Sequence, residues 1–395
     1  MFDSLLVRSH DWQGAEKPLD LGSLVEGMIF YGNVEVILDP SSIKQIARAW
    51  SPHAVLRLLD CGLAKFKYRQ NLTGIRTENQ GKPNERHLPI VVEATRDEGG
   101  CEDPCMLLER AFLEVCTSAK DASRLAQQSL QRLEIHRTPE SLPARSVADF
   151  RDRRFVNAAV RRLLHQLAPE YRMSWSIYFI VEEAADGLAV STNIDFVAAN
   201  ASYHQRVSPM HSTLTPAFLL SHLVLAREIV EEAATIGGDL IVSDAQAALN
   251  ILHIEAQLRS RRESANNIAR FQEFSLEDSR AIAEAVNSGR VGIDQILPVL
   301  ASSRKFRSWV SARPPDSDLA KAYFSECTKG TWIDQLPVKA ARWQVFDLVG
   351  AAANAFAPGL GTVIQVADAT ILDRLLSGWK PNHFVDGVVR KFVKN

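Results

Sequence analysis

The sequence lacks the short motifs that identify the familiar classes of enzyme. It contains no G-x-x-x-x-G-K-[ST] phosphate loop, no H-E-x-x-H zinc motif and no G-x-S-x-G nucleophile elbow. Gly359-Leu360-Gly361 lacks the third glycine of a dinucleotide fingerprint and follows no strand signal. The sequence therefore predicts no cofactor and weighs against an enzyme with a local signature. An enzyme with dispersed catalytic residues would leave no such trace.

A charge bias is also missing. The chain of 395 residues carries 45 basic and 47 acidic side chains, which gives a formal net charge of -2. A protein without strong net charge has no general attraction for nucleic acid or for an anionic membrane. The composition thus excludes binding driven by total charge, and only local basic patches remain to be considered.

Cysteine is scarce and its count is odd. An odd number in a chain of this length predicts free thiols in a reducing compartment. Cys101 and Cys105 resemble half of a metal site, but no second close pair follows, so no metal is predicted. We expect Cys105 and Cys116 in the core, on one helical face with Leu108 and Phe112. The five cysteines are Cys61, Cys101, Cys105, Cys116 and Cys327.

Long apolar runs are absent, except at residues 348–366. The apolar run Leu5–Val7 is too short for a signal peptide, so we expect a cytoplasmic protein. Residues 348–366 carry no formal charge, but only seven of them are Leu, Ile, Val or Phe, which is too few for a stable transmembrane helix. We interpret the Gly/Ala-rich segment 350–361 as part of a tightly packed helical hairpin that breaks at Pro358-Gly359. A segment that enters a membrane surface is the alternative.

The first half of the chain mixes strand and helix signals. Asp186-Gly187 is a strong turn pair between two runs rich in β-branched and aromatic residues, which predicts a hairpin. Residues 77–87 have the composition of a polar loop. The predicted strands are 34–38, 63–70, 88–94, 175–183 and 188–197, and the predicted helices include 104–119, 121–136 and 146–168.

The second half of the chain has helix signals alone. Thr215-Pro216 is an N-cap followed by proline at the first helical position, and Gly237-Gly238 and Gly289 mark helix ends. No strand is predicted after Thr215. Strands gathered first and helices gathered later predict an α+β fold. We expect an α+β domain at 1–212, with a small sheet and a hairpin, and an all-helical domain at 213–395.

Five side chains are candidates for chemistry. His222 falls on an apolar helix face, where a hydrogen-bonded core histidine competes with a general base or a ligand. Asp244 lies in a first helical turn, where a carboxylate is favoured by the helix dipole. Asp368 borders an apolar helix face and needs a partner. The full set of candidates is His222, Asp239, Asp244, Glu255 and Asp368.

Four basic stretches occur, at 151–155, 161–162, 259–262 and 304–309. The last interleaves aromatic residues with Arg304, Lys305 and Arg307, as nucleic-acid binders often do. The spacing of Phe306 and Trp309 instead predicts one buried apolar helix face, with the cations in water. Nucleic-acid binding would be favoured only if all four stretches converged in space.

These observations predict an interaction or regulatory protein that self-associates or binds a protein partner through its helical C-terminal half. Two alternatives stay open. One is a membrane-active effector that uses the segment 350–361, with peripheral membrane contact and no transmembrane segment. The other is a hydrolase or nucleic-acid enzyme with dispersed acidic residues, which would require a pocket lined by carboxylates or histidines.

Overall fold

The computed structural model describes residues 2–8, 19–93, 103–184, 186–209, 212–242, 244–276, 281–314, 318–328 and 379–394. The chain divides into two compact units that interleave along the sequence. The sheet unit comprises Leu5–Leu19 and Glu35–Arg259, and the helical unit comprises Met1–Ser4, Asp20–Val34 and Ser260–Asn395. The expected boundary between residues 212 and 213 stays a prediction.

A five-stranded parallel sheet belongs to the sheet unit. Its strands are β1 (Ser4–Arg8), β2 (Asn33–Leu38), β3 (Lys65–Arg69), β6 (Glu134–His136) and β9 (Asp239–Ile241). They lie in the order β6-β3-β2-β1-β9, with parallel pairing of β1 with β9, β2 with β3 and β3 with β6. The N–H groups of Gly32 and Asn33 donate to the carbonyls of Phe2 and Asp3, so β1 and β2 start together and are parallel too. All five strands therefore end along one edge, the carboxyl edge.

A four-stranded antiparallel sheet follows in the same unit. Its strands are β4 (Asn71–Glu78), β5 (Arg86–Glu93), β7 (Phe179–Ala184) and β8 (Gly187–Thr192), in the order β4-β5-β8-β7. The predicted hairpin is confirmed, and Gly187 at its turn has a φ of 133° that favours glycine. The polar loop predicted at 77–87 is too long, because the residues at both of its ends belong to strands. β4 and β5 pair through Glu78 and Arg86, and the chain turns between them.

The helices of the sheet unit begin at capping residues. Asp39, Asp103 and Thr215 each accept a hydrogen bond from a backbone N–H of the first turn, and a proline follows each of them. The helices are α2 (Pro40–Ala49), α3 (Pro52–Leu59), α4 (Pro104–Leu113), α5 (Ala119–Leu130), α6 (Leu142–Arg151), α7 (Arg153–Leu167), α8 (Phe196–Tyr203) and α9 (Pro216–Ile236).

Three predicted helices in this region have different bounds. The helix predicted over 104–119 ends at Leu113. The helix predicted over 146–168 is two helices, because the Asp152 carboxylate accepts from the N–H groups of Arg154 and Phe155 and starts a new helix. The helix predicted over 121–136 ends at Leu130, and its last residues form β6. Residues 134–136 therefore lie in the parallel sheet and not on a helix.

Three cysteines can be placed in the described part of the chain. Cys105 and Cys116 are free thiols, and Cys61 is half-buried. The prediction of core positions for Cys105 and Cys116 is wrong, because both are half-buried and Cys116 lies beyond the end of α4. Burial is the larger cause that raises the pKa of both thiols, and neighbouring carboxylates raise it further. The side chains of Cys101 and Cys327 lie outside the described residues.

The helical unit has a core of packed aromatic rings. The Phe306 side chain is fully buried, and its ring centroid lies 5.6 Å from that of Phe30, 5.8 Å from that of Phe271 and 5.0 Å from that of Phe384. The helices here are α1 (Leu21–Phe30), α11 (Ile282–Asn287), α12 (Ile293–Ser302), α13 (Arg304–Ser311) and α14 (Leu319–Thr328). A helical segment over 381–394 comprises α15 (Pro381–Phe384), a π-turn at Val385–Val389 and α16 (Arg390–Lys394). The long helix α10 is Asp244–Leu276.

The α+β fold class is confirmed, since strands gather in the first half of the chain and helices dominate the second. One detail is different. The half that was expected to be all-helical contributes β9, a strand of three residues that pairs with β1.

Candidate functional site

Arginine and histidine side chains end three strands of the parallel sheet. Arg8 is the last residue of β1, Arg69 of β3 and His136 of β6. The carboxyl edge, where all three lie, is the edge at which open parallel sheets usually bind ligands. The strand order changes direction between β1 and β9, and Arg8 stands at this switch point.

Helix α9 supplies two carboxylates to the same edge. Glu228 and Glu232 are four residues apart and therefore project from one side of the helix. Thr215 caps the start of α9, and Gly237 ends it in the left-handed conformation with a φ of 67°. We refer to Arg8, Arg69, His136, Glu228 and Glu232 as the edge cluster.

The edge cluster is a continuous set of hydrogen bonds. The Arg8 guanidinium contacts both carboxylates, with Nη2 at 2.8 Å from Glu228 Oε2 and Nη1 on Glu232 Oε2. Arg69 Nη2 lies 2.6 Å from Glu228 Oε2. His136 Nε2 lies 2.8 Å from Glu232 Oε1. Both arginines and both glutamates are buried, and the His136 side chain is 19% exposed.

Glu228 is the centre of the edge cluster. Its Oε2 also accepts from Thr73 at 3.1 Å, and its Oε1 accepts from Thr138. Burial alone would raise the pKa of Glu228, but the positive charges of Arg69 and Arg8 outweigh that effect and hold the pKa below its ordinary value of 4.5. Glu228 is therefore ionised at neutral pH.

A metal ion is the first chemistry to test at this cluster. One atom each of His136, Glu228 and Glu232 could act as a ligand, and these atoms lie within 4.8 Å of one another. A histidine nitrogen with carboxylate oxygens suits zinc and related ions. However, each carboxylate oxygen has about two acceptor positions, and the three donors on Glu228 Oε2 leave none there for a metal ion, whereas Oε1 accepts one hydrogen bond. Arg8 also supplies the positive charge between the two carboxylates, so the cluster fits an ion-pair network and does not fit a metal centre.

The sequence carried a partial signal for the edge cluster. The i, i+4 pair in "REIVEEAA" predicts two carboxylates on one helix face, a spacing that was not used. His136 was missed because residues 121–136 were interpreted as one helix. Arg8 follows the apolar run Leu5–Val7, which was considered only as a signal peptide.

His222 lies on α9, and its exposure is 9%. Its Nδ1 lies 3.0 Å from Nε2 of Gln246, and its ring centroid lies 4.6 Å from that of Phe218. Burial lowers the pKa of His222 from 6.5 to about 4. The imidazole is therefore neutral at pH 7 and packed in the core, although its role in the protein stays a prediction.

We expect His222 to make the fold sensitive to mild acid. In the unfolded chain the imidazole takes up a proton below pH 6.5, whereas in the folded chain it does so only below about pH 4. Stability should therefore fall progressively between these values, by about 2 kcal/mol at pH 5. Urea unfolding of the wild type and of His222→Gln between pH 7 and pH 5 measures this difference. His165→Gln, at an exposed position, is the control, and equal slopes for wild type and His222→Gln would contradict the expectation.

The other predicted site residues do not join the edge cluster. Asp239 is buried at the start of β9, at the end of the sheet opposite the carboxyl edge. Asp244 and Glu255 lie on α10, but their side chains are not among the described ones. Asp368 and the segment 350–361 lie outside the described residues. The expectations for Asp244, Glu255, Asp368 and the segment 350–361 stay predictions.

The basic stretch at 304–309 is only partly as predicted. Phe306 and Trp309 are buried as expected, and Arg304 and Lys305 are exposed. The placement of Arg307 in water is wrong. Arg307 is 9% exposed, and its guanidinium donates to the carbonyls of Tyr31 at 2.7 Å and Gly32 at 2.6 Å. Arg307 therefore satisfies backbone acceptors and is not available to a phosphate.

Three exposed apolar side chains stand out in the sheet unit. Trp175 is 96% exposed, Val197 is 84% exposed and Tyr178 is 39% exposed. Trp175 and Tyr178 precede β7, and Val197 is in the first turn of α8, after β8. We refer to these three side chains as the Trp175 face. Aromatic side chains of this size usually bury most of their surface, so nearly complete exposure of a tryptophan is unusual.

The backbone beneath the Trp175 face is fixed by side-chain hydrogen bonds. Arg161 Nη2 donates to the carbonyls of Trp175 at 3.0 Å and Ile177 at 2.7 Å. Asn193 accepts from the N–H of Tyr178 at 2.8 Å and donates to the carbonyl of Ser176 at 3.1 Å. The loop before β7 is therefore tied to α7 and to the residue after β8.

Comparison of the chain with known proteins gives no significant match to a protein-family model, a curated protein or a solved structure. Among the helices in the described part of the chain, none combines the length and apolar character that crossing a bilayer requires.

Proposed function

We propose that the protein is a cytoplasmic interaction component that binds a protein chain through the Trp175 face. The observation that carries the proposal is the 96% exposure of Trp175 on a hydrogen-bonded loop. Tryptophan, tyrosine and arginine are the residues that most often dominate binding energy at protein interfaces. Trp175 and Tyr178 are close in sequence to the exposed Arg172, which supplies the third type.

The contacts at the carboxyl edge favour an interaction role for the protein over catalysis at this edge. In open parallel sheets, substrates and cofactors bind at this edge. Here the edge is filled by Glu228 and Glu232, whose oxygens already accept from Arg8 and other donors of the same chain. The Oε2 atom of Glu228, which accepts from three donors, has no capacity left for a substrate.

The rigidity of the Trp175 face favours a protein as its ligand. Fixing the backbone that carries an aromatic anchor reduces the entropy lost on association, which matters most for a partner of defined shape. The exposed carboxylates of Glu170 and Asp195 lie in the same two segments as Trp175 and Val197. Their negative charges would repel a phosphate backbone or an anionic lipid surface. The proposed interaction surface is therefore in the first half of the chain.

Photocrosslinking from Val197 tests this proposal. With a photoreactive residue at position 197, we expect one discrete protein adduct in the cells that make the protein. Trp175→Ala should abolish that adduct, because the indole is the anchor of the contact. The same variant should change the free energy of unfolding by less than about 0.5 kcal/mol, since the side chain contacts almost nothing of its own chain.

A photoreactive residue at Leu113 is the matched control, because this side chain is also exposed, at 45%, but lies on α4. An adduct from position 113 but none from position 197 would contradict the proposed function. An adduct from position 197 that survives Trp175→Ala would do the same.

A further inference from the structure

We propose that the Trp175 face binds the same face of a second copy of this chain. This inference rests on the proposed function and specifies the partner. A two-fold symmetric interface requires a surface that is complementary to itself, since each contact is made twice with the roles of the copies exchanged. The Trp175 face and its borders meet this requirement in shape and in charge.

The shape of the surface combines a projecting side chain with small neighbours. Trp175 is almost fully exposed, whereas the exposed residues of α8 are Val197, Ala198 and Ala201. A helix face directed to solvent normally carries charged or polar residues, but α8 (Phe196–Tyr203) contains no charged side chain at all. The indole of one copy can therefore lie on α8 of the other copy without burying a charge.

The charges at the border are complementary to themselves. Glu170 and Arg172 are both exposed and are two residues apart. In the described part of the chain, no ion pair is made by either side chain. In a two-fold arrangement Glu170 of each copy can face Arg172 of the other, which gives two equal ion pairs.

Hydrogen bonds hold these charges beside α8. The N–H of Glu170 donates to Ser202 Oγ at 3.2 Å, and the Tyr171 hydroxyl accepts from the N–H of Asp195 at 3.1 Å. The segment that carries Glu170 and Arg172 is thereby tied to both ends of α8. Trp175 and the two opposite charges thus lie on a segment that is tied to the helix carrying the small residues.

Other occupants fit this surface less well. A phosphate-rich ligand would meet Glu170 as well as Arg172, and an anionic membrane would meet the same carboxylate. An unrelated protein could bury Trp175, but its binding would not require one unpaired charge of each sign beside the indole. A second copy uses both charges.

Sedimentation velocity of the purified chain tests the inference. We expect a monomer–dimer equilibrium between about 1 and 100 µM. Trp175→Ala should raise the dissociation constant at least about a hundredfold, whereas Leu113→Ala should leave it unchanged. Because each substitution occurs twice in the interface, Glu170→Arg alone or Arg172→Glu alone should raise it about tenfold.

The double variant Glu170→Arg/Arg172→Glu is the decisive test, since it exchanges the two charges and restores both ion pairs between the copies. We expect its dissociation constant to return to within about threefold of the wild-type value. A monomer at every concentration, or a dimer that Trp175→Ala leaves intact, would overturn the inference. Failure of the double variant to recover would overturn it too. If the chain is monomeric but position 197 still crosslinks to a different protein, this inference fails and the proposed function stands.

Discussion

Replacing Glu228 by alanine should lower the free energy of unfolding by about 3 to 5 kcal/mol, which is a large part of the stability of an ordinary domain. The carboxylate is buried and accepts from Arg8, Arg69, Thr73 and Thr138. Its removal leaves Arg69 buried without its only ion-pair partner in the described part of the chain, and leaves Arg8 with Glu232 alone. A buried cation without a counter-charge is among the most costly defects a single substitution can create.

Glu231→Ala is the matched control for this experiment. Glu231 lies on the same helix and makes two ion pairs, with Arg145 at 2.7 Å and Arg227 at 2.9 Å. Its side chain is 26% exposed, so the loss should be about 1 kcal/mol or less. Urea unfolding followed by circular dichroism measures both variants. A cost for Glu228→Ala as small as that for Glu231→Ala would mean that the edge cluster is open to water.

The pH dependence of the same carboxylate has a defined sign. Because the folded-state pKa of Glu228 is below the ordinary value of 4.5, its contribution is fully present above that value and is lost as the pH falls below it. The loss caused by His222 begins at a higher pH, near 6.5. Acid unfolding should therefore show two ranges, and His222→Gln should remove only the first.

The elements that the sequence predicted correctly are those fixed by neighbouring residues. The cap and proline at Asp103-Pro104, the same pair at Thr215-Pro216 and the turn at Asp186-Gly187 act over a few residues. Their hydrogen bonds and backbone angles depend little on the rest of the fold. The prediction of these elements therefore needed no knowledge of tertiary structure.

The edge cluster could not be predicted in this way. Arg8, His136 and Glu232 are brought together by the register of parallel strands and by the packing of α9, which are long-range properties. The strands β6 and β9 have three residues each, too few to show an alternating pattern. They are strands because neighbouring strands offer free backbone groups, and a single sequence does not reveal those neighbours.

The same limit explains the different outcomes within α13. The spacing of Phe306 and Trp309 is a helical period, so their burial was predictable. Arg307 lies between them in sequence and was placed in water by charge alone. Its burial follows from the carbonyls of Tyr31 and Gly32, which accept from its guanidinium and come from a distant part of the chain. Charge predicts exposure only where no such acceptors exist.

Exchanging Gly22 for alanine should destabilise the helical unit by about 3 kcal/mol, although alanine is the better helix former by about 1 kcal/mol. A Cβ atom at this position of α1 would lie 2.2 Å from the carbonyl oxygen of Ala283 and 2.6 Å from Nδ2 of Asn287. The first contact is with backbone, so α1 and α11 would have to move apart. That movement would also break the bonds of Asn287, which accepts from the Gly22 N–H at 2.9 Å and donates to Asp20, the N-cap of α1, at 2.8 Å.

Gly387→Ala in the same unit separates this steric effect from helix propensity. Gly387 lies in the helical turn Val385–Val389, and a Cβ there would meet no atom within 4 Å. We expect this variant to match the wild type or to be more stable by up to about 1 kcal/mol, because alanine restricts the unfolded chain. Urea unfolding of the two variants side by side gives the result. Opposite signs would establish that α1 and α11 approach closely at Gly22, whereas a wild-type free energy of unfolding for Gly22→Ala would show that this close contact does not exist.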